Sequence, residues 1–164
     1  MILRNTHRRS SRLQRCGIIV TLALTIGACS LTGAPEEVRN AASQPLMDTT
    51  WRLATLNGQV LVNPSGPAAV TLQLQSANPR LTGFAGCNRL FGGYLLNGEQ
   101  LKVDQVGATK MACADETRTR LEQDYLQMLS QVTRWKIEGS SLALLGADAT
   151  TLATFTADET AVAR

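Results

Sequence analysis

The residues with the widest chemical reach in this chain are four cysteines and one histidine. Cys29 ends the run Leu24-Thr25-Ile26-Gly27-Ala28-Cys29. Small residues ahead of a cysteine, behind an apolar stretch and a basic head, suit cleavage after Ala28 and acylation of the thiol, with Cys29 becoming the first residue of the mature chain. Cys16 lies inside that leader, so Cys87 and Cys113 remain as mature thiols. In the oxidising compartment that an exported protein enters, such a pair is expected to form a disulfide. It would close a loop of about 27 residues, worth roughly 3–4 kcal/mol on the chain-entropy model. A metal pair and a redox pair are the alternatives. Two cysteines without histidine make a poor zinc site, and the Cys-x-x-Cys spacing of dithiol redox centres is missing. His7 also leaves with the leader, which removes Ser-His-Asp and Cys-His catalysis and histidine-ligated metals from the mature chain. An enzyme would have to work with Lys110 activating a hydroxyl and with carboxylates from Asp115 and Glu116. A lone lysine beside Thr109 in a loop is more often solvated, and acids at a helix start usually serve the helix dipole. No catalytic residue, cofactor or metal is therefore expected.

Residues 1–16 carry Arg4, Arg8, Arg9, Arg12 and Arg15 and no acid, and residues 17–28 are nearly all apolar or small. That apolar stretch is shorter than the roughly 20 residues a membrane-spanning helix needs, so residues 1–28 read as a cleaved signal peptide. A buried N-terminal helix is the alternative, and its arginines would be poor neighbours for a core. Ser10-Ser11-Arg12 after Arg8-Arg9 lacks the apolar residues usual in twin-arginine signals, which favours the general secretory route. Two or more acyl chains on Cys29 would anchor the protein stably. Ser30, where an Asp would resemble an inner-membrane retention signal, directs the expectation to the periplasmic face of the outer membrane of a bacterial envelope. Residues 29–47, with Pro35 and Pro45 among small polar residues, read as a flexible tether with a reach of roughly 25 Å. A weak helix across Glu36–Ala42 is its alternative.

The whole chain carries 16 Lys+Arg against 13 Asp+Glu, a net charge of +3. Without the five leader arginines the balance is 11 against 13, or −2. The basicity thus belongs to the leader. The remainder has no basic stripe and few aromatic side chains suited to stacking, so nucleic acid is not an expected partner.

Residues 48–164 are of ordinary size for one domain. Their pattern is mostly period two, which predicts strands over Thr50–Leu56, Val70–Gln75, Arg80–Ala85, Leu90–Leu96 and Gln100–Val106. Asn57-Gly58 and Asn97-Gly98 are turn signals. From Asp115 to Val132 the period changes. Leu121, Tyr125, Met128, Leu129 and Val132 fall at helical spacing, Asp115 suits an N-cap, and Arg118, Arg120, Glu122, Gln123 and Asp124 form a solvated face. Strands return over Arg134–Glu138, Ser141–Leu145 and Thr151–Thr156. The expected fold is α+β: a curved or barrel-like antiparallel sheet of about eight strands, capped by one helix that hides its apolar stripe and the sheet edges. Trp51 and Trp135 are expected in the core. Gly83, Gly86, Gly92 and Gly93 around Cys87-Asn88 suggest positive φ or close strand approach, and Asn88 suits a turn closed through its side chain. A backbone N–H nest for an anion is the functional alternative there.

Several of these segments also carry a resemblance. They are Trp51-Arg52-Leu53, Leu56-Asn57-Gly58, the run Gly83 to Tyr94, Thr109-Lys110-Met111-Ala112-Cys113, the helix with Glu122, Tyr125 and Leu129, and the closing strands Leu142–Leu144 and Leu152–Phe155. Over residues 48–157 the chain resembles the META domain family, which includes the heat-inducible HslJ-type bacterial proteins. Its signature falls on Trp51, Gly86, Asn88, Gly92, Tyr94, Thr109 and Met111, with Cys87 and Cys113. The resemblance implies a cracked β-barrel-like sheet with one helix, an envelope or secreted location, often as a lipoprotein, and a link to stress or drug tolerance. It implies no catalytic residues. The expected function is a membrane-anchored, non-catalytic binding or structural domain facing an envelope protein or small ligand. A carrier with an apolar ligand or lipid in a barrel-like pocket, and a histidine-independent enzyme, are the alternatives.

Overall fold

A computed structural model describes residues 43–62 and 64–158. The signal peptide, His7, Cys16, Cys29 and most of the expected tether lie outside the described residues. Among the described residues nine strands and one helix follow one another: β1 (Trp51–Leu56), β2 (Gln59–Val60), β3 (Thr71–Gln75), β4 (Arg80–Phe84), β5 (Arg89–Asn97), β6 (Gln100–Ala108), α1 (Glu116–Ser130), β7 (Arg134–Glu138), β8 (Ser141–Leu145) and β9 (Thr151–Ala157). The extra strand beyond the eight expected is the two-residue β2. It is formed because Asn57 and Gly58 both take positive φ, 49° and 79°, and fold the chain back on β1. At the second Asn-Gly, Asn97 still pairs with Gln100, so the turn tip is Gly98-Glu99.

All strand pairs are antiparallel, and β1 pairs with both β3 and β9, so the bonds run in a ring through eight strands. The ring is uneven. The β5–β6 ladder is long, whereas β1 meets β3 through two residue pairs and β6 meets β7 through Gln100 and Arg134 alone. The hydrogen bonds Leu101 N to Thr133 O and Trp135 N to Glu99 O flank that last pair at 3.0 and 3.1 Å. Beyond it the two strands part, and α1 packs along β6.

The helix forms where the sequence places it. Asp115 has extended backbone and its carboxylate accepts the Arg118 N–H at 2.8 Å, while Glu116 lies in the positively polarised first turn. Tyr125, Met128 and Leu129, spaced by three and four, enter the core. The period-two strands supply the rest: Trp51, Leu53, Leu72, Leu74, Leu81, Leu101, Leu142, Leu144 and Phe155 are at most 1% exposed. Tyr125 and Phe155 rings lie 6.3 Å apart and tilted, and the Tyr125 hydroxyl donates to Thr71 O at 3.2 Å. Side chains thus fill the ring. Trp135 departs from expectation. It is half-buried, and its indole N–H donates to Gly98 O at 3.0 Å, because β7 sits where the ring splits.

The N-terminal boundary also differs from the expected one. Gln44 to Met47, assigned to the tether, belong to the folded unit. Gln44 N donates to Gly139 O at 2.9 Å, Met47 bridges Leu74, and Leu46 is 6% exposed with its carbonyl accepting the Trp51 indole N–H at 2.9 Å. Trp51 needs a partner for its indole when fully buried, and the segment before it supplies one.

Complete burial raises the pKa of Tyr125 well above that of a free phenol. The sign of the pH effect follows. Below about pH 10 the phenol is protonated in both states and the stability it contributes is intact. Above that, the unfolded chain releases a proton that the folded chain keeps, so stability falls by about 1.4 kcal/mol per pH unit. Tyr125→Phe is expected to cost about 1 kcal/mol at pH 7, through the lost bond to Thr71 O. It is also expected to flatten the alkaline decline when urea unfolding is measured from pH 8 to 11. An undiminished slope in the variant would assign the decline to other groups.

Candidate functional site

The signature residues around Cys87 converge on one side chain. Asn88 is 2% exposed and sits immediately before β5, at the end of the turn from β4. Its amide oxygen accepts the Met111 N–H and the Thr109 hydroxyl, both at 2.8 Å. Its amide nitrogen donates to Met111 O at 3.3 Å and to Glu122 Oε1 at 3.1 Å. Its backbone N–H donates to Glu122 Oε2 at 2.9 Å, and its carbonyl accepts the Ala85 N–H at 2.8 Å. The Asn88 side chain therefore pairs with both backbone groups of Met111, as a peptide unit on a neighbouring strand would. It extends the β5–β6 ladder past its last residue pair, Leu90 and Ala108, through the Thr109 N–H to Arg89 O bond at 3.0 Å. The Thr109 hydroxyl closes the ring by accepting the Arg89 N–H at 3.1 Å.

This pairing fixes the segment that carries Cys113, and the disulfide Cys87–Cys113 is present with Cα atoms 5.6 Å apart, within the ordinary range. The bond and the Asn88–Glu122 contacts together join the β4–β5 turn, the chain after β6 and the helix. Glu122 was expected on the solvated helix face. It is half-buried and turned to Asn88, and the signal was present in its spacing, three residues before Tyr125 and seven before Leu129 on the buried stripe. Arg118, also expected in solvent, remains exposed but donates to Gly86 O at 3.3 Å.

The four glycines divide by cause. Gly86 has φ 95°, the left-handed side that a side chain resists, and Leu121 of the helix packs over it. At Gly83 a Cβ would collide with Thr71 O, the same carbonyl that accepts the Tyr125 hydroxyl. Gly92 faces Asp104 O across an irregular stretch of β5 and β6, while Gly93 is in neither situation. As for the anion nest, the Asn88 N–H is already met by a carboxylate, that of Glu122.

Other signature residues lie elsewhere. Trp51 is in the core beneath Leu46. Tyr94 donates to Gln75 O at 2.8 Å, beside Met47. Burial is the main reason its pKa is raised, with the Asp48 charge adding to it. Of the residues considered for catalysis, Lys110 and Glu116 are exposed, and Asp115 is engaged as the helix cap with an ion pair to Arg118 Nε at 3.7 Å. Cys87, Cys113 and Glu122 do offer ligand atoms within 4.8 Å of one another. With the sulfurs joined there is no thiolate to bind a metal, so this cluster is chemically a staple beside a carboxylate. The connection between β2 and β3 is held by Arg52 donating to Ser65 Oγ at 2.9 Å and by Ala69 N to Gly66 O at 3.0 Å.

A ring of strands plugged by one helix, with the Asn88 knot and its disulfide at the helix start, defines the class. Residues 44–159 match the META domain, and the chain belongs to that family. A protein from Burkholderia xenovorans, solved by NMR, is similar at 29% identity with a TM-score of 0.56, over 83% of this chain and 99% of that one. A second NMR structure is similar in fold at 20% identity with a TM-score of 0.53, over 73% of this chain and 95% of that one. No curated protein shows a significant match to the chain.

Removing the Asn88 amide would leave the Met111 N–H and the Thr109 hydroxyl without their acceptor and would take one of two donors from the Glu122 carboxylate. Asn88→Ala is expected to cost about 3 kcal/mol in urea unfolding. Asn88→Asp keeps the shape but sets a second carboxylate against Glu122, which raises the folded-state pKa of the pair. Its stability is then present below the ordinary carboxylate range and lost as pH rises through the raised value. The variant should be closest to the parent protein near pH 4 and weakest near pH 7. Equal deficits at both pH values would show that charge opposition at Glu122 is not the cause.

Proposed function

We propose that the protein is an envelope lipoprotein, held by Cys29 at the periplasmic face of the outer membrane, whose META domain binds or braces rather than catalyses. The observation that carries the reading is the use made of the signature. Asn88, Thr109, Met111, Glu122, Cys87 and Cys113 satisfy one another within the fold, so the chemistry concentrated there serves architecture. The cysteine pairing suits an oxidising compartment. Among the described residues no helix is long and apolar enough to cross a membrane, and acylation of Cys29 would supply attachment instead. A filled ring of side chains fits binding on an outer surface better than a ligand carried inside. The link to envelope stress or drug tolerance is part of the same proposal and rests on the family resemblance.

Labelling cells with a fatty-acid tracer tests the anchor. Cys29→Ser is expected to abolish the label and to retain the uncleaved leader. Ser30→Asp is expected to move labelled protein to the inner-membrane fraction. Unlabelled wild-type protein recovered in the soluble periplasmic fraction would sink the lipoprotein reading.

A further inference from the structure

The outer face of β4, β5 and β6 carries an exposed aromatic ring flanked by arginines. Leu81 and Leu90 point inward, at 0% and 2% exposure, so their strand neighbours alternate outward. Thr82 stands opposite Phe91, which stands opposite Gly107. In the rows on either side, Arg80 faces Gly93 and Phe84 faces Arg89. A Cβ on Gly107 would come within 3.1 and 3.2 Å of Phe91 ring carbons, so the ring rests on bare backbone. Phe91 is nonetheless 51% exposed, which leaves its other side to solvent. Covering a glycine is a structural use of an aromatic ring, but it does not account for what surrounds this one.

Two grooves of about 580 and 560 Å³ meet along Thr82 and Phe91. Arg80 and Gln105 line the first, Arg89 and Thr109 the second. Gln105 is placed by a bulge. Between Phe91 and Gly93 the partner strand β6 carries one residue more, and Gln105 there takes φ 48°. Bulges of this kind re-aim side chains beside binding sites, and positive φ in a residue other than glycine is uncommon. Both arginines are exposed and unpaired with any carboxylate among the described residues. The one acid in these rows, Asp104, accepts the Gln105 N–H at 2.9 Å and does not line either groove.

We propose that this face binds a carboxylated glycan. The electron-rich face of the Phe91 ring takes the C–H face of a sugar, Arg80 and Arg89 take its carboxylate through charge-assisted bonds, and Thr82 and Gln105 meet its hydroxyls. A nucleic-acid strand fits less well, because it needs successive stacking platforms and a longer cationic track. Naming cell-wall glycan as the source rests on the envelope reading above.

Full-length protein in detergent is titrated by calorimetry with cell-wall glycan fragments bearing lactyl carboxylates, with neutral chito-oligosaccharides of equal length, and with a single-stranded oligonucleotide. The acidic glycan is expected to bind at least about tenfold tighter than the neutral one. Arg80→Gln with Arg89→Gln should erase that preference. Phe91→Leu, which keeps Gly107 covered, should weaken both glycans by about tenfold or more. Absence of glycan binding, an acidic preference that survives loss of both arginines, or tighter binding of the oligonucleotide would each overturn the site. If Phe91→Leu unfolds, the arginine variants decide alone. Glycan binding retained by a protein that cells neither export nor acylate would sink the envelope reading and leave the site standing.

Discussion

The fold depends on closing a sheet that its own backbone leaves nearly open between β6 and β7. Gln100 and Arg134 form the one residue pair there, and the strands diverge beyond it. A parting in a ring of strands exposes unpaired backbone and an apolar interior. The chain solves this with the segment that leaves β6 and returns to β7, which contains α1. The helix has to be fixed at both ends against an otherwise circular sheet. Tyr125, Met128 and Leu129 anchor it by burial, and the Tyr125 hydroxyl reaches Thr71 O on β3.

At the helix start burial is replaced by polar geometry. A buried side-chain amide that stands in for a peptide unit stabilises the fold when all of its partners are in place. Here Asn88 meets Met111 through both of its polar ends while Glu122 reaches back from the helix. The disulfide then constrains the same junction covalently. The two devices are complementary in physical terms. The disulfide acts mainly by restricting the unfolded chain, whereas the Asn88 network acts on the folded state, selecting one register for the chain after β6.

The strands and helix were largely legible because each buries a stripe with its own period. Leu72 and Leu74 alternate with Thr71, Gln73 and Gln75, and the helix stripe repeats at three and four. The Cys87–Cys113 bond was legible from the cysteine count together with an expected oxidising compartment. The polar contacts were less so. The charge of Glu122 points to solvent, whereas its spacing puts it on the face of Tyr125 and Leu129. Gln44 to Met47 looked like linker because prolines and small polar residues carry no period. Only the buried indole of Trp51, in need of an acceptor, required them. Gln105 could not be singled out at all, since a bulge is a property of two strands in register and no single strand contains it.

Separating the interior and exterior uses of the same strands sharpens the functional picture. Along β5, Leu90 and Tyr94 are buried, while Arg89 and Phe91 between and beside them face outward. The inward residues and the Asn88 knot are mutually constrained, so any change there is felt as lost stability. The outward arginines of β4 and β5 carry no such burden: Arg80 and Arg89 are exposed and outside the core, and exposed charges confer little stability. The Asn88 network joins the ring to its helix, whereas Arg80, Arg89 and Phe91 stand on the outward face of the same strands. The bulge at Gln105 is where the two uses meet, for it bends a strand that the ring needs and turns an uncharged polar side chain toward the groove beside Phe91.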